Sequence, residues 1–394
     1  MNRGSKTCGG SAVCPCCIQD LKFLRQRERP AEVIGVRPLR IVDLFSGCGG
    51  MTLGLWEAAR RLGRAIDIPL AVDSDPAVLQ AYAANFPLAN TVAGDVNAVL
   101  RDLASHRYGD RLKALSLDAI DVLVGGPPCQ GHSGLNNHTR HDDPKNSLYL
   151  SMAKAAALFR PKVIIIENVP SVRRDRAGVV DRTRTALEAL GYAWESRVLD
   201  LLAVGVPQHR RRFIAIATRD DGIDLAALMD DLADKTGCSA QRSVRWAVED
   251  LALAVDETDS FDSPSTPSVD NVNRIDFMIK NGLYDLPNDL RPPCHRDKDH
   301  SYLSVYGRLH WDRPAQTITT GFCSMGQGRF VHPSEPRTIT PHEAARIQTF
   351  PDWFDFRGLS KRGQMSRAIG NAVPPFLTIA IGGRLFAGGG SDGC

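Results

Sequence analysis

The chain has 394 residues, enough for two domains and a sizeable core. Charged residues make up 24% and hydrophobic ones 43%, the balance of an ordinary globular protein, which argues against a disordered or fibrous one. A formal net charge of only +3 excludes a bulk field as the means of holding nucleic acid, so any such contact must come from local Arg and Lys clusters. No run is apolar for long enough to make a membrane helix, and "MNRGSKTCGG" has no signal-peptide pattern; both point to a soluble, cytoplasmic chain with no membrane partner.

Ten cysteines scatter through the chain without the spacing of an extracellular disulfide framework. Four of them crowd together as Cys8, Cys14, Cys16 and Cys17, at intervals that fit no familiar zinc finger. Residues 1–37 therefore read as a polar, flexible leader with no metal, zinc being the alternative. Next comes "LRIVDLFSG", an apolar run typical of a strand buried on both faces, and "MTLGLWEAARRLG" follows with helical spacing. The alternation continues through "IPLAVD", "PAVLQAYAANF", "AIDVLVGG", "SLYLSMAKAAALF" and "KVIIIEN". This rhythm predicts an α/β domain over 38–219, a Rossmann-like parallel sheet with helices on both faces. From about Asp220 the texture turns irregular, with one modest helix expected near "RWAVEDLALAV" and a smaller domain expected over 220–335. Thr340, Pro341 and Glu343 make a capping box that starts a helix, and "PPFLTIAIGGRLFA" reads as another, so that 336–390 is expected to pack back on the first domain.

Chemistry-bearing residues fall at the predicted strand ends. In "DLFSGCGG", Gly47, Gly49 and Gly50 allow a tight turn and close approach of a ligand to the backbone. Asp73 and Asp75 end the second strand and Asp95 the third; each suits a helix cap, and together they suit an adenosine-bearing cofactor. Cys129, in "GGPPCQGHSG", sits on a stiff proline mount after the fourth strand, and Glu167 ends the fifth. Adjacent ends of parallel strands open on one crevice, and Glu167 emerges there from four apolar residues, a place suited to delivering a proton. In "QHRRRFIAIA", Arg210 and Arg212 are expected to point one way and Arg211 the other, toward an anion or a carbonyl.

The ordered set "DLFSGCGG", "GGPPCQGHS", "ENVP", "QHRRR", "RPAQTIT" and "GNAVPP", spanning Asp43 to Pro375, resembles the DNA (cytosine-5)-methyltransferases, in their bacterial restriction–modification form. One departure is His132, where the family usually has Phe. The resemblance implies an S-adenosylmethionine-dependent methyltransferase sheet with a smaller target recognition domain, acting on a flipped-out cytosine in double-stranded DNA. It makes Cys129 the nucleophile toward carbon 6, Glu167 the partner of ring nitrogen 3, Arg212 a donor to the ring carbonyl, and Arg210 a support for the thiolate or a phosphate. By the same resemblance Phe45, Gly47, Gly49, Asp73, Asp95, Pro128, Leu148, Asn371 and Val373 hold the cofactor. The loop from Gln130 to about Asn146 closes over the base, with His138, Arg140 and Lys145 near phosphates, and Arg313, Thr317 and Thr319 organise the small domain. A monomer is expected, with a cognate restriction endonuclease as the possible partner. Two other readings stay open: a transfer RNA methylase of the same chemistry, and a non-catalytic DNA-binding regulator, which would be expected to have lost Cys129 or Glu167.

Overall fold

In a computed structural model the described residues are 14–34, 37–105, 119–128, 144–237, 242–297 and 304–387, the side chains of Cys16 and of 144–146 excepted. The strands among them are β1 (Leu39–Leu44), β2 (Ile66–Asp73), β3 (Thr91–Ala93), β4 (Val122–Gly125), β5 (Val163–Asn168), β6 (Ala193–Asp200), β7 (Gln208–His209), β8 (Arg211–Thr218) and β9 (Ala315–Gln316). The first helices are α1 (Pro15–Leu24), α2 (Gly50–Arg61), α3 (Pro76–Asn85), α4 (Val96–Ala104), α5 (Ser151–Phe159), α6 (Val179–Ala189) and α7 (Leu225–Ala233). After them come α8 (Val244–Val248), α9 (Val269–Lys280), α10 (Pro293–Arg296), α11 (Pro341–Ile347), α12 (Arg362–Asn371) and α13 (Pro375–Phe386). The described residues of Pro30–Val204, Arg211–Lys235 and Val373–Cys394 form one compact unit, and those of Met1–Arg29, Gly205–Arg210 and Thr236–Ala372 the other.

The first unit is built on a seven-stranded sheet in the order β3-β2-β1-β4-β5-β8-β6. Runs such as "VLVG" and "VIII" are apolar because helices cover both faces; β4 and β5, the latter ending in Glu167 and Asn168, are buried at every residue. β1 to β5 pair in parallel, as the rhythm of the sequence predicts, but β8 runs antiparallel to both β5 and β6. The reason lies in the connection: residues 201–210 leave no room for a crossover helix, which a parallel return would need. α13 lies against α2 so closely that a Cβ on Gly54 would come 2.1 Å from Thr378 Oγ1 and 2.2 Å from the Pro375 carbonyl. Thr378 donates across this contact to the Met51 carbonyl at 2.8 Å.

The second unit corrects the sequence reading in two places. The segment expected to be a flexible leader contains α1, which begins at Pro15 behind Cys14 and buries Cys17, Phe23 and Leu24. Asp20 on this helix pairs with the buried Arg242 at 2.7 Å, and that guanidinium also stacks on Trp246. The stretch expected to be irregular contains α9, a 12-residue helix that buries only Ile275 and Met278 and so leaves little apolar periodicity to see. α7, also unforeseen, belongs with the sheet unit. The helix near "RWAVEDLALAV" is present as α8. The capping box at α11 forms as expected: Thr340 Oγ1 accepts from Glu343 N at 3.1 Å, and Glu343 Oε2 accepts from Thr340 N at 2.8 Å. Residues 336–372 group with this unit, and the chain joins the sheet unit from Val373 on. No helix among the described residues is long and apolar enough to cross a membrane.

Candidate active site

The turn after β1 has an unusual backbone. Phe45, Gly47 and Gly49 take φ values of 57, 55 and 95°, and for Phe45 that left-handed conformation costs on the order of 1–3 kcal/mol. The side chain of Asp73, at the end of β2, pins the turn: Oδ2 accepts from Gly47 N and Oδ1 from Asp75 N, both at 2.9 Å. A Cβ on Gly49 would lie 2.8 Å from the Phe86 ring, so only glycine fits there. One on Gly47 would meet nothing within 4 Å, so the turn is open above that residue. Beside it the buried Ser46 Oγ has no hydrogen-bond partner among the described residues. An open turn, a strained residue and an orphaned hydroxyl together fit a cradle for a polar ligand. Asp75 and Asp95 cap α3 and α4 through Oδ1, accepting from Ala77 N at 3.0 Å and Ala98 N at 2.9 Å.

Beneath the turn Asp43 is only 1% exposed. Thr52 Oγ1 donates to it at 2.6 Å and lies 3.0 Å from the Tyr82 hydroxyl. Burial, helped by the nearby charge of Asp73, outweighs these hydrogen bonds and pushes the Asp43 carboxyl up to about 7. Burial likewise pushes the Cys48 thiol up to about 12 and the Cys323 thiol up to about 11, which makes both poor nucleophiles near neutral pH.

The ends of β4 and β5 carry the reactive groups. Glu167 is 8% exposed, and its Oε1 lies 2.7 Å from Arg212 Nε. The antiparallel course of β8 makes this ion pair possible. Phe213 pairs with Asn168, so the first residues of β8 lie at the edge where β4 and β5 end. A parallel strand would have carried Arg212 to the far side of the sheet. Asn168 Nδ2 donates to the Pro127 carbonyl at 3.1 Å, and Asn168 Oδ1 accepts from Val169 N at 2.8 Å, so the segment leading to Cys129 is tied to the end of the glutamate strand. Gly125 admits no side chain, because a Cβ would lie 2.7 Å from the Met152 sulfur and 2.9 Å from the Leu44 carbonyl. At Gly126 a Cβ would stand 3.4 Å from Glu167 Oε2, the carboxylate oxygen that is not paired with Arg212. Cys129, the loop to residue 143 and the side chain of Lys145 lie outside the described residues.

Other expected residues are placed as follows. Pro128 follows directly on this segment and is half-buried, as is Leu148, on the 3-10 helix Pro144–Leu150. Asn371 ends α12 in the second unit, and the buried Val373 begins the last segment of the sheet unit. Thr317 Oγ1 donates to the His209 carbonyl at 2.6 Å. Arg210, expected from the sequence to support a thiolate or a phosphate, is buried among backbone carbonyls, and Cys129 lies outside the described residues. The arginine is 2% exposed, and its guanidinium donates to the carbonyls of Ile318, Gly370 and Ala372 at 2.9, 3.3 and 3.1 Å. Those bonds tie three backbone segments of the second unit together, a positioning role. Sequence reasoning passed over Tyr149, whose buried hydroxyl has no hydrogen-bond partner among the described residues; burial, with the charge of Glu167 nearby, raises the phenol above its ordinary value.

Residues 39–387 match the model of the C-5 cytosine-specific DNA methylases. The chain belongs to that family. Over 372 residues it is 42% identical to the Type II methyltransferase M1.BsuMI of Bacillus subtilis, a match covering 92% of this chain and 84% of the relative. The Type II methylase M.HgiDII of Herpetosiphon aurantiacus is 32% identical over 351 residues, covering 86% of this chain and 93% of that one. In fold the chain is similar to the S. pombe Dnmt2 methyltransferase, with a TM-score of 0.59 at 18% identity over 89% of this chain and 98% of that one. For a cytosine-5 DNA methylase the reaction is methyl transfer to carbon 5 of a cytosine in DNA. The methylase thus keeps a buried carboxylate–guanidinium pair at the strand edge from which its Pro-Pro-Cys segment departs.

Proposed function

We propose that this methylase uses S-adenosylmethionine to methylate a flipped-out cytosine within a specific duplex site, with Cys129 as the covalent nucleophile. The observation that carries the reading is the Glu167–Arg212 pair joined through Asn168 to the Pro127 carbonyl. Carbon 5 of cytosine is a poor nucleophile until a thiolate adds to carbon 6. Addition of the Cys129 sulfur forms the S–C6 bond and drives electron density toward ring nitrogen 3. There Glu167 gives a proton or a hydrogen bond through Oε2, while Arg212 holds Oε1 and turns the carboxyl edge toward the base. Arg212 also serves the ring carbonyl. Bound S-adenosylmethionine supplies the electrophilic methyl group that the activated carbon 5 takes up. Loss of the carbon-5 proton then expels the thiol. Asn168 and the two prolines hold the sulfur to one line of attack, and Gly126 leaves room beside Oε2.

The donor would lie over the glycine turn, with Gly47 and Gly49 beneath its methionine part, Phe45 near the adenine and the unpartnered Ser46 hydroxyl within reach. Asp73 takes the ribose while pinning the turn, and Asp95 gives the adenine amino group the oxygen that does not cap α4. Pro128, Leu148 and Val373 would complete the pocket on the sheet unit. The region 220–335 chooses the site, and the chain works as a monomer on DNA in the cytoplasm, on the nucleoid. Because the relatives are named Type II methyltransferases, its role is to protect DNA beside a restriction endonuclease that cuts the same site.

Bisulfite sequencing of DNA from a host expressing the chain gives the site. A duplex carrying 5-fluorocytosine at that position then tests the mechanism. Fluorine leaves no proton to remove, so the enzyme should be trapped as an adduct that survives denaturation, needs S-adenosylmethionine for full yield and vanishes in Cys129→Ser. Peptide mapping of the crosslink to Cys48 or Cys323 would overturn the assignment.

A further inference from the structure

In the second unit the rings of Tyr284 and His310 stack with centroids 3.7 Å apart and planes 16° apart. The Arg308 guanidinium lies over the same tyrosine, 4.4 Å from its centroid. The platform is braced from behind. Arg308 N donates to the Tyr284 carbonyl at 2.8 Å, and Arg329 Nη1 donates to the carbonyls of Tyr284 and Arg308 at 2.8 and 3.0 Å. Arg329 also pairs with Asp285, and Leu309 N bonds the Val331 carbonyl at 2.8 Å, which fixes the residue before His310. With the backbone held at so many points, the stacked rings are a rigid feature of this surface.

Their polar edges are unclaimed. Neither the Tyr284 hydroxyl nor either His310 ring nitrogen makes a hydrogen bond among the described residues, and Tyr284 is 37% exposed. Burial and the neighbouring Arg313, Arg329 and Arg308, opposed by Asp285, hold the His310 imidazole below its ordinary pKa. A neutral imidazole presents one donor and one acceptor, as a base edge does. The arginines around it supply the local positive charge that the whole chain lacks.

We propose that Tyr284 and His310 form a base-reading platform in the recognition region, contacting a base edge of the duplex site while the exposed Arg313 beside them meets a phosphate. The proposal rests on the reading of this chain as a duplex-DNA methylase, and names residues that set its specificity. A rigid stack with free donors and acceptors suits a base edge, whereas a contact to phosphate positions the backbone and carries no sequence information directly.

The test is bisulfite sequencing of plasmid DNA methylated by the full-length chain and by His310→Ala, His310→Gln and Tyr284→Phe. His310→Ala should relax base preference at one position of the site and slow methylation of the original site roughly ten- to hundredfold. The KM for S-adenosylmethionine should not change. Tyr284→Phe keeps the ring and its stack, so it decides the matter even where the alanine variant folds poorly; it should relax the same position to a smaller degree. An unchanged consensus and rate in His310→Gln and Tyr284→Phe would overturn the proposal. So would a loss that is uniform over all sequences, the mark of a phosphate contact. A wild-type chain that leaves the plasmid unmethylated would refute the methylase reading itself, a result distinct from either.

Discussion

The two units both have apolar cores but differ in what they add to them. The sheet unit has strands that are apolar across their whole width, with Val42, Leu44, Leu123, Ile164 and Ile166 in one continuous cluster. The second unit buries charge. Arg346, 1% exposed, bonds Asp352 and Asp250 as well as the Ala247 carbonyl, and Arg337 forms a two-bond fork with Glu343, both bonds 2.7 Å. His342 lies between Asp262 and Asp352, at 2.6 and 2.8 Å. An apolar sheet fixes every strand end at once, which suits groups that must meet a reacting ring within fractions of an ångström. Polar crosslinks fix loops one at a time, so a platform such as Tyr284–His310 can be held rigidly on irregular backbone. The proposed division of labour between chemistry and site choice would follow from this physical difference.

The comparison can be broken most severely at Glu167. Glu167→Gln keeps the shape but leaves Arg212 without its counter-charge and offers no acid, so methyl transfer should fall by roughly 10²–10⁴-fold while duplex binding persists. Single-turnover rates and a binding titration on the same variant check both halves. Next in size is Arg346→Met. Removing one partner of a buried ion pair costs about 3–5 kcal/mol, and hydrogen exchange should show the loss of protection in α8 and α11 while β1, β4 and β5 keep theirs.

A gentler probe is pH. Burial alone would lower the His342 pKa, but hydrogen bonds to Asp262 and Asp352 outweigh it and raise the pKa above the ordinary histidine value. Its stabilisation is therefore complete below that ordinary value and disappears as pH climbs through the raised one. For Asp352 burial opposes ionisation, but His342 and Arg346 win and hold the carboxyl at about 2, so its share is present above the usual carboxylate range and is lost as pH falls toward 2. Urea midpoints of wild type and His342→Gln should converge at alkaline pH; midpoints that stay equally far apart there would show that the charged imidazole contributes nothing. The smallest effect is expected at Tyr149. Tyr149→Phe removes a buried hydroxyl with no partner among the described residues, and should raise stability by about 1 kcal/mol while leaving kcat within a factor of about two.

The same contrast explains what could be read in advance. Strands such as "VIIIEN" and the Thr340–Glu343 capping box carry local signals, and both are found where expected. The direction of β8 was not legible, because it depends on how little chain separates it from β6. α1 and α9 were missed because each buries few residues: α1 is anchored by Arg242 from a distant part of the chain, and α9 by Ile275 and Met278 alone. Glu167 and Arg212 could each be named from motifs, yet their ion pair follows only from the antiparallel register. Arg210 shows what motif reading leaves out. It stands two residues from Arg212, and nothing in "QHRRR" announces that its guanidinium also bonds the carbonyls of Ile318, Gly370 and Ala372.

The most direct test of the division between the units is an exchange of residues 236–335 for the matching region of a relative with a different, known site. If the sheet unit supplies chemistry and the exchanged region supplies choice, the hybrid will methylate the donor's site, and bisulfite sequencing will show the original one untouched. An active hybrid that still methylates the original site would contradict the division outright.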